Sequence, residues 1–217
     1  MRFVTKDDPI AVIFGCCRFS GSAVKADPDV ASFAPVLTKP VAAFKVAIAA
    51  RQEADDTIAD AHGVVAYRER LLHQCVIAVS RKAFAHFASR TAPGYLKILP
   101  KAATDILKMP QADRRKILLA MIDALAEKGL PAEFAQLSKD LAAAQKNREA
   151  ADAAVVAAEL AFGKARTAEG DAKDAVVVGY RSLHAQLTLK FEQDKPRVES
   201  YFRSPPKKVK TPAPAAG

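Results

Sequence analysis

Two stretches decide the fold: Arg51-Gln-Glu-Ala54-Asp55-Asp-Thr-Ile58-Ala-Asp-Ala61 and Arg148-Glu-Ala-Ala151-Asp152-Ala-Ala-Val155-Val-Ala-Ala158. They share Arg-x-x-Ala-Asp-x-x-Ile/Val-x-x-Ala at a constant offset of 97 residues. Apolar groups three, four and seven residues apart fall on one face of a helix. Around the first stretch, Phe44, Arg51, Ile58, Val65, Leu72 and Val79 form one row, with Ala47, Ala54, Ala61, Arg68 and Cys75 beside it. Around the second, the row Phe134, Leu141, Arg148, Val155, Phe162, Glu169, Val176 and Leu183 is flanked by Leu137, Ala144, Ala151, Ala158, Ala165, Ala172 and Gly179. A large row beside a small one predicts close pairing of two long helices. Arg68 and Glu169 interrupt these rows and are expected to face partners or a wetted part of the pair.

Proline and glycine set the bounds. Thr38 to Pro40 reads as a helix start, with Thr38 as cap and Pro40 in the first turn, and Thr91 to Gly94 as its end. The first long helix is therefore expected over about residues 40–90. Tyr95 to Pro100 reads as a short apolar connector packed on its end. A shorter helix follows over 111–128, its buried stripe being Ile117, Leu118, Met121, Ile122 and Leu125. The second long helix is expected over 132–191. Residues 1–37, with Pro9, Pro28 and Pro35 and no evident helical period, read as an irregular segment or a strand followed by loop. The expected class is all-α: an elongated antiparallel bundle over 38–202, its long helices each roughly 75 Å. The duplicated pattern, with an aromatic and proline-marked segment after each long helix (Tyr95 to Pro100, Tyr201-Phe202 to Pro205), reads as an internal repeat. Convergence of two Ala-rich helices is the competing reading.

Composition agrees with this class. Half of the 217 residues are apolar, enough for a sizeable core; Trp is absent and Gly numbers only 9, while Ala, the best helix former, is frequent. Cys16, Cys17 and Cys75 are an odd set without CxxC spacing, which points to a reducing, cytoplasmic setting. No stretch reads as a membrane-spanning helix. Ile10 to Cys16 faintly suggests a lipoprotein cleavage site, but Asp7, Asp8 and Pro9 oppose a signal peptide.

Chemistry-bearing motifs are weak. Glu53, Asp55, Asp56 and Asp60 cluster within about two turns, yet a di-metal bundle needs Glu-x-x-His, which does not occur. His62, His73, His86 and His184 lack zinc-protease spacing. Gly15 to Ser22 lacks the Gly-Lys-Ser/Thr ending of a phosphate-cradling loop, and Cys16, Cys17 and Ser20 have no motif-linked base. A non-enzymatic protein without cofactor or metal is therefore expected. From Lys195 onward, six basic residues against Glu199 alone carry +5 of the net +9. Residues 203–217, rich in Pro, Lys and Ala, read as a disordered tail whose Arg203, Lys207, Lys208 and Lys210 are candidates for weak, salt-sensitive contact with phosphate or nucleic acid.

With its Arg-x-x-Ala-Asp repeats, Leu- and Pro-rich connector and Tyr201-Phe202 pair, the body over 40–203 resembles uncharacterised bacterial long-helix proteins, a resemblance that implies no particular activity. In composition and tail the chain is also similar to phasins, Ala-rich helical proteins that coat storage-polymer granules, which implies a granule-surface role. The role expected is that of a structural or interaction protein that presents helix faces to a partner or to itself, with a DNA-associated accessory protein as the alternative.

Overall fold

The computed structural model describes residues 3–205. Every regular element among them is helical: α1 (Ile10–Ala26), a single 3-10 turn (Ala31–Phe33), α2 (Ala34–Phe87), α3 (Pro93–Ile98), α4 (Ala103–Lys108), α5 (Gln111–Leu125), α6 (Ala132–Lys190) and α7 (Lys195–Ser200). The two long helices α2 and α6 pack together. The chain forms two compact units, each built on one part of α2 and one part of α6: Met1–Ala54 with Phe162–Gly217, and Asp55–Ala161.

In the first unit α1 and α7 join the long helices around a core that includes Ile13, Leu37, Phe44, Val176, Tyr180 and Leu187. Burying one such side chain is worth about 1.5–3 kcal/mol. The expectation of an irregular segment or strand over 1–37 is wrong at its centre. Residues 10–26 are a helix whose buried positions Ile13, Cys16, Cys17, Ser20, Gly21 and Val24 recur every three or four residues. Its prolines lie outside it: Pro9 is the N-cap and Pro28 follows the C-cap, Asp27. Tertiary burial overrides the modest helix propensity of its β-branched residues, cysteines and glycines.

The start of α2 also differs. Thr38 does not cap, because the helix already begins at Ala34, and Pro40 stands inside it. Pro40 has no N–H to offer the Val36 carbonyl four residues earlier. That carbonyl faces α6 at Gly179, where a Cβ would come within 2.7 Å of Val36 O and 3.3 Å of Pro40 Cγ. Only glycine lets the two backbones approach this closely. In the same unit Arg51 Nε meets Glu169 at 2.6 Å, which gives Glu169 the partner its place in an apolar row required.

The second unit is closed by α3, α4 and α5 over the α2–α6 pair, around Leu72, Val79, Ile98, Leu118, Met121 and Phe134. The connector expected over 95–100 contributes Tyr95, Ile98 and Leu99 to this core, folded as α3, and Tyr95 Oη lies 3.2 Å from Ser80 Oγ. α2 ends at Phe87, earlier than the Thr91 to Gly94 stop, because Ala88 takes a left-handed conformation (φ 55°) while its N–H still bonds Phe84 O. The expected stripe of α5 holds for Leu118, Met121 and Leu125; Ile117 and Ile122 are half-buried, and Arg114 is buried with them. Ser138 of α6 donates to the Ile122 carbonyl at 2.9 Å, fixing α5 on that flank.

Candidate functional site

The most developed polar constellation is in the second unit, centred on Glu69 of α2. Arg114 of α5 grips it with both terminal nitrogens, Nη1 to Oε1 at 2.5 Å and Nη2 to Oε2 at 3.1 Å. Arg148 of α6 reaches Oε2 through Nε at 2.7 Å, and His73 Nε2 lies 2.8 Å from Oε1. Arg148 also pairs with Asp152, which accepts from Gln111 of α5 at 2.5 Å, and Arg114 donates to the Leu107 carbonyl at 3.3 Å. Burial pushes the Glu69 carboxyl up, but the hydrogen bonds from Arg148 and Arg114, the charge of Arg114 and the bond with His73 outweigh it and hold the group below its ordinary range. All four lone-pair positions of the carboxylate face a partner, so it is neither an open metal ligand nor a poised base. Its work is to tie three helices at one level. Arg148, the first residue of the second Arg-x-x-Ala-Asp stretch, is thus half of this tie, as Arg51, the first residue of the other, is half of the simpler pair in the first unit.

A second cluster fixes the end of the described chain. Arg197 of α7 bonds Asp27 and Asp29, each at 2.9 Å, and lies over the Phe191 ring at 4.1 Å. Tyr201 Oη donates to Asp27. The hydrogen bonds from Tyr201 and Arg197, then the Asp29 N–H, hold the Asp27 carboxyl down at about 2.

The residues singled out from the sequence do not converge. Glu53, Asp55, Asp56 and Asp60 are all exposed, and among the described residues no three His, Cys, Asp or Glu side chains form a group that could hold a metal ion. His62 is exposed, His73 belongs to the Glu69 cluster, His86 packs edge-on against Phe87 and Phe134, and His184 against Phe3. The Gly15 to Ser22 stretch is an internal part of α1 and not a loop, so its backbone N–H groups are spent within the helix. Burial and then neighbouring Cys16 push the Cys17 thiol up to about 12, the opposite of an activated nucleophile. Arg203 is exposed, its carbonyl accepting from Tyr180 Oη at 3.3 Å; Lys207, Lys208 and Lys210 lie outside the described residues.

What remains is surface. In the second unit α5 covers the flank of the helix pair carrying Glu69, Ser138 and Asp152. The other flank is an open groove of ≈ 430 Å³ between Leu71, Cys75 and Ala78 of α2 and Leu137, Ala143 and Ala144 of α6, with Arg68 and Asp140 beside it. Tyr67 and Val64, on the same side of α2, stay exposed. In the first unit Val46, Val178 and Leu189 are likewise exposed, Leu189 by 72%. Contrary to expectation, one helical stretch (Ala31–Phe87) contains an 18-residue window of mean hydropathy 1.4, of which only 17% is buried; by length and composition it is apolar enough to cross a membrane, a test that core helices of soluble proteins also pass.

No protein-family model, no curated protein and no solved structure matches the chain.

Proposed function

We propose that the chain is a non-enzymatic interaction protein: an elongated antiparallel pair of duplicated long helices, buttressed on one flank and presenting the other to a second copy of itself or to a protein partner. The observation that carries this reading is the open groove of Leu71, Ala78, Leu137 and Ala144, opposite the flank on which α5 is tied to the long helices through Glu69. Small and apolar side chains there suit helix-on-helix packing. The order of contacts supports the antiparallel sense: within the second unit Glu69 meets Arg148 while Lys82 meets Glu133. The repeat is supported by the symmetric counterpart of the Arg51–Glu169 pair falling one helical turn from Glu69.

Light scattering over a concentration series, with small-angle scattering on the same samples, tests this. A dimer or larger particle that Leu71→Glu with Ala78→Glu converts to monomer is the expected result for self-association. Monomer mass at all concentrations sinks it and leaves only a foreign partner.

The sparsely buried apolar window favours one second reading, a phasin-like attachment to a hydrophobic surface. That reading expects the protein to sediment with polymer particles or to bind detergent micelles. Absence of both refutes it.

A further inference from the structure

α1 and α2 enclose a second groove, of ≈ 560 Å³, within the first unit. Its floor is apolar, made by Phe14, Leu37, Val41 and Ala42, and its rim carries Arg18, Lys25 and Lys45. No carboxylate is among the described residues that line it. The helices run in opposite directions across it, since Phe14 meets Phe44 (centroids 5.2 Å apart) and Gly21 faces Thr38. Lys45, with its ammonium 5.8 Å from the Phe14 ring centre, therefore stands at one end and Lys25 at the other, with Arg18 between. From Phe14 to Lys25 the groove runs along α1 for about 16 Å.

We propose that this groove docks an acidic amphipathic helix of a partner protein. The proposal rests on the reading of the chain as an interaction protein and gives it a partner chemistry. The apolar floor takes a helix's apolar stripe, as helix-in-groove recognition requires. Cations spread over three turns match carboxylates repeated at helical spacing, whereas an amphiphile with one anionic head engages only one end. With no carboxylate among its described lining residues, the groove disfavours a basic helix through unpaired like charge.

The test is fluorescence anisotropy with the full chain and a labelled peptide of about 14 residues (four turns), Leu on one face and Glu flanking it. The Glu peptide should bind, and its Lys counterpart at least about tenfold more weakly. Arg18→Glu with Lys25→Glu and Lys45→Glu should weaken binding at least about tenfold, while Arg70→Glu with Lys128→Glu and Lys146→Glu, the same charge change in the second unit, should leave it within about twofold. Ala42→Phe, which fills the floor and keeps every charge, should also weaken it, and thermal melts by circular dichroism establish that each variant is folded. Equal losses in the two charge-reversed proteins, an unaffected Ala42→Phe, no binding of the Glu peptide, or tighter binding of dodecanoate than of the peptide overturns the proposal. Particle mass read on the same samples separates the two ideas: a monomer that binds the peptide ends self-association and leaves the docking site standing.

Discussion

At the scale of single residues, Pro40 and Gly179 act as a pair although they belong to different helices. Pro40 leaves the Val36 carbonyl without its intrahelical donor, and Gly179 makes room for that carbonyl on α6. Gly179→Ala should therefore destabilise by about 1–3 kcal/mol, since the obstacle at 2.7 Å is backbone and cannot rotate away. Gly170→Ala, with open space around the new methyl, should instead raise stability by up to about 1 kcal/mol. Urea denaturation of both proteins checks this, and equal effects of like sign refute it. Glu69 is the other decisive single residue. Glu69→Gln leaves Arg114 and Arg148 without their shared counter-charge and should cost about 2–3 kcal/mol, less than a wholly buried pair because Glu69 keeps some exposure. The apolar rows are legible in the sequence here; the partners of their charged members are not. Glu69 and Arg148 stand 79 positions apart, and nothing local marks Arg114 for burial.

At the scale of elements, α7 is attached in part by charge. It has six residues and is held by Arg197 and Tyr201 on Asp27 and Asp29. Asp27 titrates at about 2 in the folded protein against an ordinary 3.8, so its contribution is fully present above about pH 4 and is lost as pH falls toward 2. The protection of α7 amides against exchange, relative to the rate of an unstructured chain at the same pH, should fall over that window in the native chain. In Asp27→Asn protection should already be low near neutrality and change little, and a native-like protection profile in that variant removes Asp27 from the latch. The end of α2 offers a change of opposite sign. Ala88 holds φ 55°, a conformation in which glycine carries no penalty, and Ala88→Gly should stabilise by about 1 kcal/mol, read as a rise in Tm.

At the scale of the whole molecule, charge and apolar surface divide the functional possibilities. Truncation after Pro205 keeps the buried Tyr201, Phe202 and Pro205 and removes Lys207, Lys208 and Lys210. If the tail contacts nucleic acid, duplex binding by the full chain should weaken steeply with salt, and the truncated chain should lose about two to three units of that log–log slope. Unchanged affinity after truncation ends the assignment of Lys207, Lys208 and Lys210, and Arg203→Ala in the truncated chain tests the remaining cation. The same truncation should leave the number of chains per particle and acidic-peptide binding as they were, because both draw on described helices that it does not touch.

The sequence by itself determined the helical class, the two long helices to within a few residues at most ends, the shorter α5 and part of the buried face of each. Helical periodicity is a local property, and prolines with few glycines mark its limits. It did not reveal α1, whose composition is a poor helix former and whose apolar spacing acquires meaning only against Phe44 and Tyr180. Nor did it reveal the Glu69 cluster, the Pro40–Gly179 approach or the cationic α1–α2 groove. Each of these joins residues far apart in the chain, and the energy of such contacts depends on which helix faces meet, a choice made only when the helices pack.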